Sequence, residues 1–271
     1  MEVKLINNPK CSAPKLYFHY ILINIKSVLQ YKTSFILTVI GQFLVSFNVF
    51  LGIYFVFERF SGIKGFTYSE VLLCYSIILL AFSLAEMYAR GFDSFSGMVR
   101  DCTFDRVLLR PRNEILQVLG SKFELTRIGR MIQGVVMFVY GITNSNINWT
   151  ASKIITVIFM ILGGTVLFTG IFLIGATFCF FTLEGLEFMN ILTDGFKEHG
   201  KYPLNVYGKK MLFITTFFLP YALVQYYPLM YVLGRSDNVF YVFLPLVAIL
   251  FLIPCCLFWK FGVKHYKSNG S

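Results

Sequence analysis

Ile154-Ile-Thr-Val-Ile-Phe-Met-Ile-Leu-Gly-Gly-Thr-Val-Leu-Phe-Thr-Gly-Ile-Phe-Leu-Ile-Gly-Ala-Thr-Phe-Cys-Phe-Phe181 contains no charged residue. A bilayer core about 30 Å thick is crossed by about 20 apolar residues in a helix, so this stretch reads as a membrane span. Four other segments pass the same test: 34–57, 71–89, 211–233 and 239–259. A sixth, 131–149, is weaker because Asn144, Asn146 and Asn148 polarise its end. It is counted because Trp149 reads as an interfacial anchor and the parity of the loops demands it.

The rest of the chain agrees with that reading. Apolar and aromatic residues make up 56% of its 271 positions, Phe alone occurs 31 times, and 14% of residues are charged, against about 25% in ordinary globular domains. A soluble domain needs charge over its outside, whereas here charge gathers between long uncharged runs. A soluble globular protein, a disordered chain and a disulfide-rich secreted module are excluded. The expected fold is an all-α integral membrane protein, one transmembrane domain over 1–271. The six cysteines (Cys11, Cys74, Cys102, Cys179, Cys255 and Cys256) are scattered or lie inside apolar runs, with no metal-ligand spacing. They read as reduced packing residues. The polar start of the chain, up to Pro14, does not read as a cleavable signal peptide.

The net charge of +10 resembles a nucleic-acid footprint until its placement is considered. Lys and Arg number five before the first span, eight in 90–130, four in 183–210 and three after 259; the alternate loops hold Arg59, Lys64, Lys153 and Arg235. Basic residues collect on the cytoplasmic side of a membrane protein. The asymmetry predicts six spans with both termini cytoplasmic, and no nucleic-acid partner. Segment 14–32 is a separate element. Lys15, His19, Lys26 and Gln30 form one helical stripe, opposite Leu16, Phe18, Ile21, Ile25, Val28 and Leu29. Such a helix is expected to lie in the inner interface rather than cross.

Few residues are candidates for chemistry. Gly195-Phe-Lys-Glu-His-Gly-Lys201 has the spacing of a phosphate-binding loop. Tyr202 stands where a Ser or Thr must hold Mg²⁺, no strand pattern precedes it, and Pro203 follows where a helix should begin. It reads as an ordinary cytoplasmic loop, and no ATP, Mg or other cofactor is expected on this chain. The three histidines share no helix face, so neither a metal site nor a catalytic residue is expected. Glu86 is the one acidic residue inside a span, and Arg90 at i+4 predicts an ion pair. Ser34, Gly41, Asn48 and Gly52 share one face of the first span, which suits helix packing within the chain, a subunit interface or a substrate path. In the fifth span Pro220, Tyr221, Gln225 and Pro228 mark a break, read as a re-entrant turn, a translocation-path elbow or a structural kink.

The segment 90–130 is the most informative. Apolar Met98, Val99, Phe104, Val107, Leu108 and Leu109 alternate with Arg100, Asp101, Asp105, Arg106 and Arg110, ahead of Pro111. A short amphipathic helix with both charge signs reads as a protein-docking element, since a lipid-binding helix would favour cations.

Here a family resemblance becomes visible. Arg100-Asp-Cys-Thr-Phe-Asp-Arg-Val-Leu-Leu-Arg-Pro111, followed by Ile115-Leu-Gln-Val-Leu-Gly-Ser-Lys122, resembles the loop after the second span of type-2 ABC transporter permeases. That loop carries a charged-Gly-Thr-aliphatic-acidic pattern ending in Pro, from which Cys102 departs. Tyr202-Pro-Leu-Asn-Val-Tyr207, Pro220 and Tyr226-Tyr-Pro228 look like one bacterial branch of that family. The resemblance implies a permease subunit of an exporter in the bacterial cell membrane, paired with a second permease chain, alike or different, in membrane lipid. Separate ATPase subunits would carry ATP and Mg and dock at the amino-terminal helix and at Met98–Pro111. Phe104 and Leu108 are expected to fill a groove on the ATPase, with Asp105 and Arg106 at its rim. An amphipathic compound, a peptide or a lipid-like substrate suits a path lined by Tyr, Asn and Gln. The alternative is a secondary transporter or channel working without an ATPase; missing midplane charges and the lack of an inverted repeat count against it.

Overall fold

Thr67 opens the helix around which the molecule is organised. Its hydroxyl accepts from the Glu70 amide while Glu70 Oε2 accepts from the Thr67 amide, a reciprocal cap that satisfies two open donors. In the computed structural model, which describes residues 13–60, 62–145, 147–182 and 186–267 (only the backbone at 13 and 186–192), the chain is helical with no strand among the described residues. In chain order the helices are α1 (Ala13–Gln30), α2 (Lys32–Arg59), α3 (Tyr68–Asp93), α4 (Phe95–Arg100), α5 (Thr103–Leu108), α6 (Glu114–Ser121) and α7 (Ile128–Asn144). There follow α8 (Ala151–Phe178), α9 (Leu186–His199), α10 (Lys209–Phe217), α11 (Tyr221–Val224), α12 (Tyr226–Val232) and α13 (Val247–His265).

Every residue of α3 from Val71 to Ser83 is buried. A helix apolar on all faces belongs in the middle of a bundle, and small residues on its neighbours let them approach. In α7, which runs antiparallel to α3, a Cβ at Gly134 would press on Leu80 and one at Gly141 on the Leu73 backbone. On the other flank Gly164 of α8 meets Ala81, and Phe168 packs edge-on against Phe82. Helix α13 lies on α8 through Gly170 against Phe251 and Gly262 against Thr177. Helix α2 is attached through few positions, with Ser46 and Ile53 its buried residues.

Among the described residues four helical stretches are long and apolar enough to cross a membrane, and a fifth if α10 and α11–α12, bent by 90°, count as one. The weakest expected span, 131–149, falls on α7, 17 residues beginning at Ile128 and ending at Asn144, which is not among these four or five. At its end Asn144 Nδ2 turns back to the Tyr140 carbonyl (3.0 Å). Trp149 therefore lies beyond the helix. The last span, 239–259, starts as 3₁₀ turns at Val239–Val242 and Leu244–Leu246 and becomes regular only from Val247. Pro245 lies against Gly163, so the regular helix begins halfway along α8.

The largest departure concerns 183–210. The sequence reading makes it a cytoplasmic loop, but its described part is folded into the bundle. Cys74 Sγ donates to the Gly200 carbonyl (3.6 Å), and a Cβ at Gly200 would collide with Ile78 and the Tyr221 hydroxyl. Gly200 thus sits beside the interior of α3. A few residues on, Lys64, which lies between α2 and α3, donates to the Asn205 carbonyl (3.2 Å). The physical reason is that the charges of this segment pair locally: Asp194 with Lys197 (2.7 Å) and Glu198 with Lys201, each at i,i+3. Lys197 also lies over the Phe82 ring, 5.0 Å from its centroid.

Candidate functional site

At the Asp93 end of the bundle, segment 90–130 folds as three short helices rather than one amphipathic helix. Phe95 and Phe104 pack edge-on at 5.0 Å, and Phe180, Trp259 and Tyr266 surround them. Phe104 is 0% exposed, so it anchors this end to α8 and α13 and is not available to fill a groove on a partner. Val99 and Val107 are buried with it, Met98 packs against the same cluster, and Asp105 accepts from the Tyr266 hydroxyl (2.9 Å). The expected roles of Phe104, Val99 and Asp105 are corrected accordingly: the aromatic seat was invisible because its partners are up to 162 positions away in sequence. What faces outward is Arg100, Arg106, Leu108, Leu109, Arg110 and Pro111, with Leu109 84% exposed.

Local geometry holds this surface. Cys102 takes a left-handed conformation (φ +53°) between α4 and α5, where glycine is the default residue. Gln117 Nε2 in α6 donates to the Val107 and Arg112 carbonyls at 3.1 and 3.2 Å, closing the loop behind Leu109. Helix α1 joins the same plate: Gly120 accommodates Tyr20, and the Tyr17 hydroxyl donates to the Tyr88 carbonyl (3.1 Å). Burial, with a smaller contribution from Tyr88, pushes the Tyr17 phenol up to about 12, so it stays a donor through the neutral range.

Next to the plate lies a charged interior. Glu86, 6% exposed, is paired to Arg130 (2.6 Å), Arg127 (3.3 Å) and, more distantly, the expected Arg90 (3.6 Å). Arg90 also pairs with Asp93, and Arg127 donates to Gln42 Oε1 of α2 (2.9 Å). These side chains and Asp194 bound a cavity of about 250 Å³. A second cavity of about 60 Å³ is lined by Arg130, Lys197, Glu198, Ser46 and Tyr75. A third, about 520 Å³, is lined by Asn48, Gly52, Glu198, Lys201 and Tyr202. Arg130 is shared by the first two and Glu198 by the last two, so the three lie in a row, lined throughout by residues of α9 and bordered by α2 at the second and third.

The structure therefore divides the residues marked from sequence. Asn48 and Gly52 line the third of these cavities; Gly41, like Gly52, has nothing within 4 Å of where a Cβ would stand, so this face of α2 is not a packing seam among the described residues. Pro220, Tyr221, Gln225 and Pro228 are buried behind the row. Tyr221 donates to the Phe196 carbonyl (3.0 Å) and Gln225 to the Gly200 carbonyl (3.0 Å), so they hold α9 in place and do not line a path. Sequence reasoning missed Arg127, Arg130, Asp194, Lys197, Glu198 and Lys201 by counting them as loop charges. The available signal was the repeated i,i+3 spacing, which puts each pair on one helix face. The Gly195–Lys201 stretch is the end of α9 and its exit, with Gly200 enclosed. Among the described residues no His, Cys, Asp and Glu group could hold a metal ion.

Residues 43–270 match the model of a family described as ABC-2 family transporter protein. No curated protein and no solved structure matches the chain.

Proposed function

The chain belongs to the ABC-2 transporter family, a membrane subunit and not itself an enzyme, and from that premise we propose an ATP-driven exporter in which it forms the conduit. In this reading the chain crosses the bacterial cell membrane six times with both termini inside. The fifth crossing is composite, built from α9 through α12, and the sixth runs through the 3₁₀ turns into α13. A second permease chain completes the membrane unit, and separate ATPase subunits, carrying ATP and Mg, dock on the plate formed by α1 and α4–α6.

The observation that carries this reading is the row of charged cavities inside an otherwise apolar bundle. Ionisable groups enclosed in an apolar bundle are expensive, and they mark pathways; the folded bundle thus holds charges that the sequence reading counted as missing when it set the secondary transporter aside. Arg130, Lys197, Glu198, Lys201 and Asn48 offer a polar substrate group successive partners, while the exposed apolar face of α2 suits its apolar remainder. The substrate class is accordingly an amphipathic compound, peptide or lipid-like molecule.

Docking is tested at Leu109, which stands clear of its own chain. Leu109→Asp should leave the fold unchanged and reduce ATPase co-purification by at least ten-fold, since a charge would enter an apolar interface core. Phe60→Ala, exposed near the opposite end of α2, should leave association unchanged. Transport that continues with no ATPase bound would favour a secondary transporter or channel instead.

A further inference from the structure

Where α3 begins, a short turn ties two distant segments to the bundle. Gly62–Phe66 closes on itself through the amides and carbonyls of Ile63 and Phe66 (3.4 and 3.0 Å). Lys64 (φ +48°) and Gly65 (φ +79°) are both left-handed, which glycine accepts and lysine resists, so the turn needs holding from outside. Lys64 Nζ donates to the Asn205 carbonyl (3.2 Å), between α9 and α10. Arg235, just past α12, donates through one Nη to the Gly65 carbonyl (2.7 Å) and to Glu70 Oε2 (2.8 Å). Its guanidinium also lies over the Phe66 ring, 4.0 Å from the centroid. The turn thus grips the α9–α12 segment at two points. Phe66 is buried in one cluster with Ile53, and Tyr202 packs on that cluster. Ile53 and Tyr202 line the third cavity, so the turn stands behind its wall.

The bonds that grip the segment differ from those inside it. Tyr221 and Gln225, both buried, donate to the Phe196 and Gly200 carbonyls and so tie α9 to the α11–α12 limb. At the turn, by contrast, Lys64 is exposed, and the Arg235 and Glu70 side chains are 33% and 17% exposed. Water replaces bonds of that kind at little net cost, so the turn is an attachment that releases readily. We infer that Gly62–Phe66 is a clasp on the α9–α12 segment. Shut, as here, it closes the third cavity toward this face of the membrane; released, it lets the segment move as one piece and opens the cavity to that face. The clasp works in the same way with or without an ATPase, and rests on the exporter reading only in making this face the outer one.

The test reads access to the third cavity. The full chain carrying Asn48→Cys, in right-side-out membrane vesicles, is treated from outside with a membrane-impermeant sulfonated thiosulfonate, and labelling above that of the chain without Asn48→Cys is counted. Labelling should be slow with the clasp intact. Arg235→Gln and Lys64→Gln should each speed it by about ten-fold or more, the effect of losing a charge-assisted hydrogen bond on a local opening. Arg59→Gln, which removes an exposed charge at the end of α2 on the same face, should leave the rate unchanged. Should Arg235→Gln fail to fold, Lys64→Gln, which removes one bond from an exposed turn, carries the expectation alone. Unchanged labelling in the folded variants overturns the clasp. So does an intact chain whose Asn48→Cys labels as fast as an exposed Phe60→Cys, because the cavity would then already be open. Faster labelling seen only with reagent on the opposite face keeps the clasp and overturns the orientation taken from the exporter reading.

Discussion

Helices α2 and α3 look alike in sequence and are treated oppositely by the fold. The most apolar stretch of each has the same mean hydropathy, 2.0, yet 11% of that stretch is buried in α2 and 83% in α3. Hydropathy reports only that a segment avoids water, and lipid and protein interior satisfy that condition equally. What separates the two helices is their neighbours. Helix α3 is approached by glycines from α7 and α8, whereas α2 closes on its own chain near Gly129 and where Phe50, Tyr54 and Phe57 pack on Tyr68, and presents Asn48 and Gly52 to a cavity. A membrane helix left this free faces lipid, a substrate or another subunit. In this protein two of the charged cavities lie against it.

The comparison is most severely tested at Glu86 of α3. Glu86→Ala leaves three guanidiniums without their shared carboxylate and should cost on the order of 3–5 kcal/mol, read as lost expression or a large drop in thermal midpoint in detergent. The counterpart in α2, Asn48→Ala, should leave the midpoint unchanged, because Asn48 is exposed to the cavity. Equal losses at both sites would mean that α2 is as tightly held as α3.

A smaller effect is expected from removing the same side chain in each helix. Leu72→Ala in α3 opens a cavity among packed neighbours and should cost about 1–3 kcal/mol. That is less than in a soluble core, because lipid is as apolar as leucine and the transfer contribution largely cancels. Leu44→Ala in α2 should change the thermal midpoint negligibly, since Leu44 is already half exposed. The smallest expected change is a gain. Cys102→Gly relieves a left-handed conformation and should raise stability by up to about 1 kcal/mol, measured by thermal unfolding. Loss of stability there would mean that the Cys102 side chain contributes packing that its partial exposure does not suggest.

How much was legible follows from the range of the interactions. The Ile154–Phe181 run announces a span by composition, and α8 holds Ala151–Phe178. The Glu86–Arg90 pair acts over four residues. By contrast, Phe104 reads as an exposed anchor because its local pattern is amphipathic, and only Trp259, Phe180 and Tyr266, arriving from distant segments, bury it. The charges of 194–201 read as a loop because a helix carrying two internal ion pairs resembles a solvated one. The same holds for Pro220, Tyr221, Gln225 and Pro228, whose spacing signals a break but not which side of the break faces the cavities.

The sequence by itself determined a helical membrane protein, the apolar stretches available for spans, and the charged segment that follows the second of them. Those properties follow from transfer free energies and periodicities that each segment carries alone. Only the tertiary structure decided that α3 is central and α2 peripheral, that Phe104 points inward while Leu109 points out, and that Glu86 gathers arginines from two helices beside a row of cavities. These depend on which segments meet, and packing between distant segments is a property of pairs that no single stretch encodes.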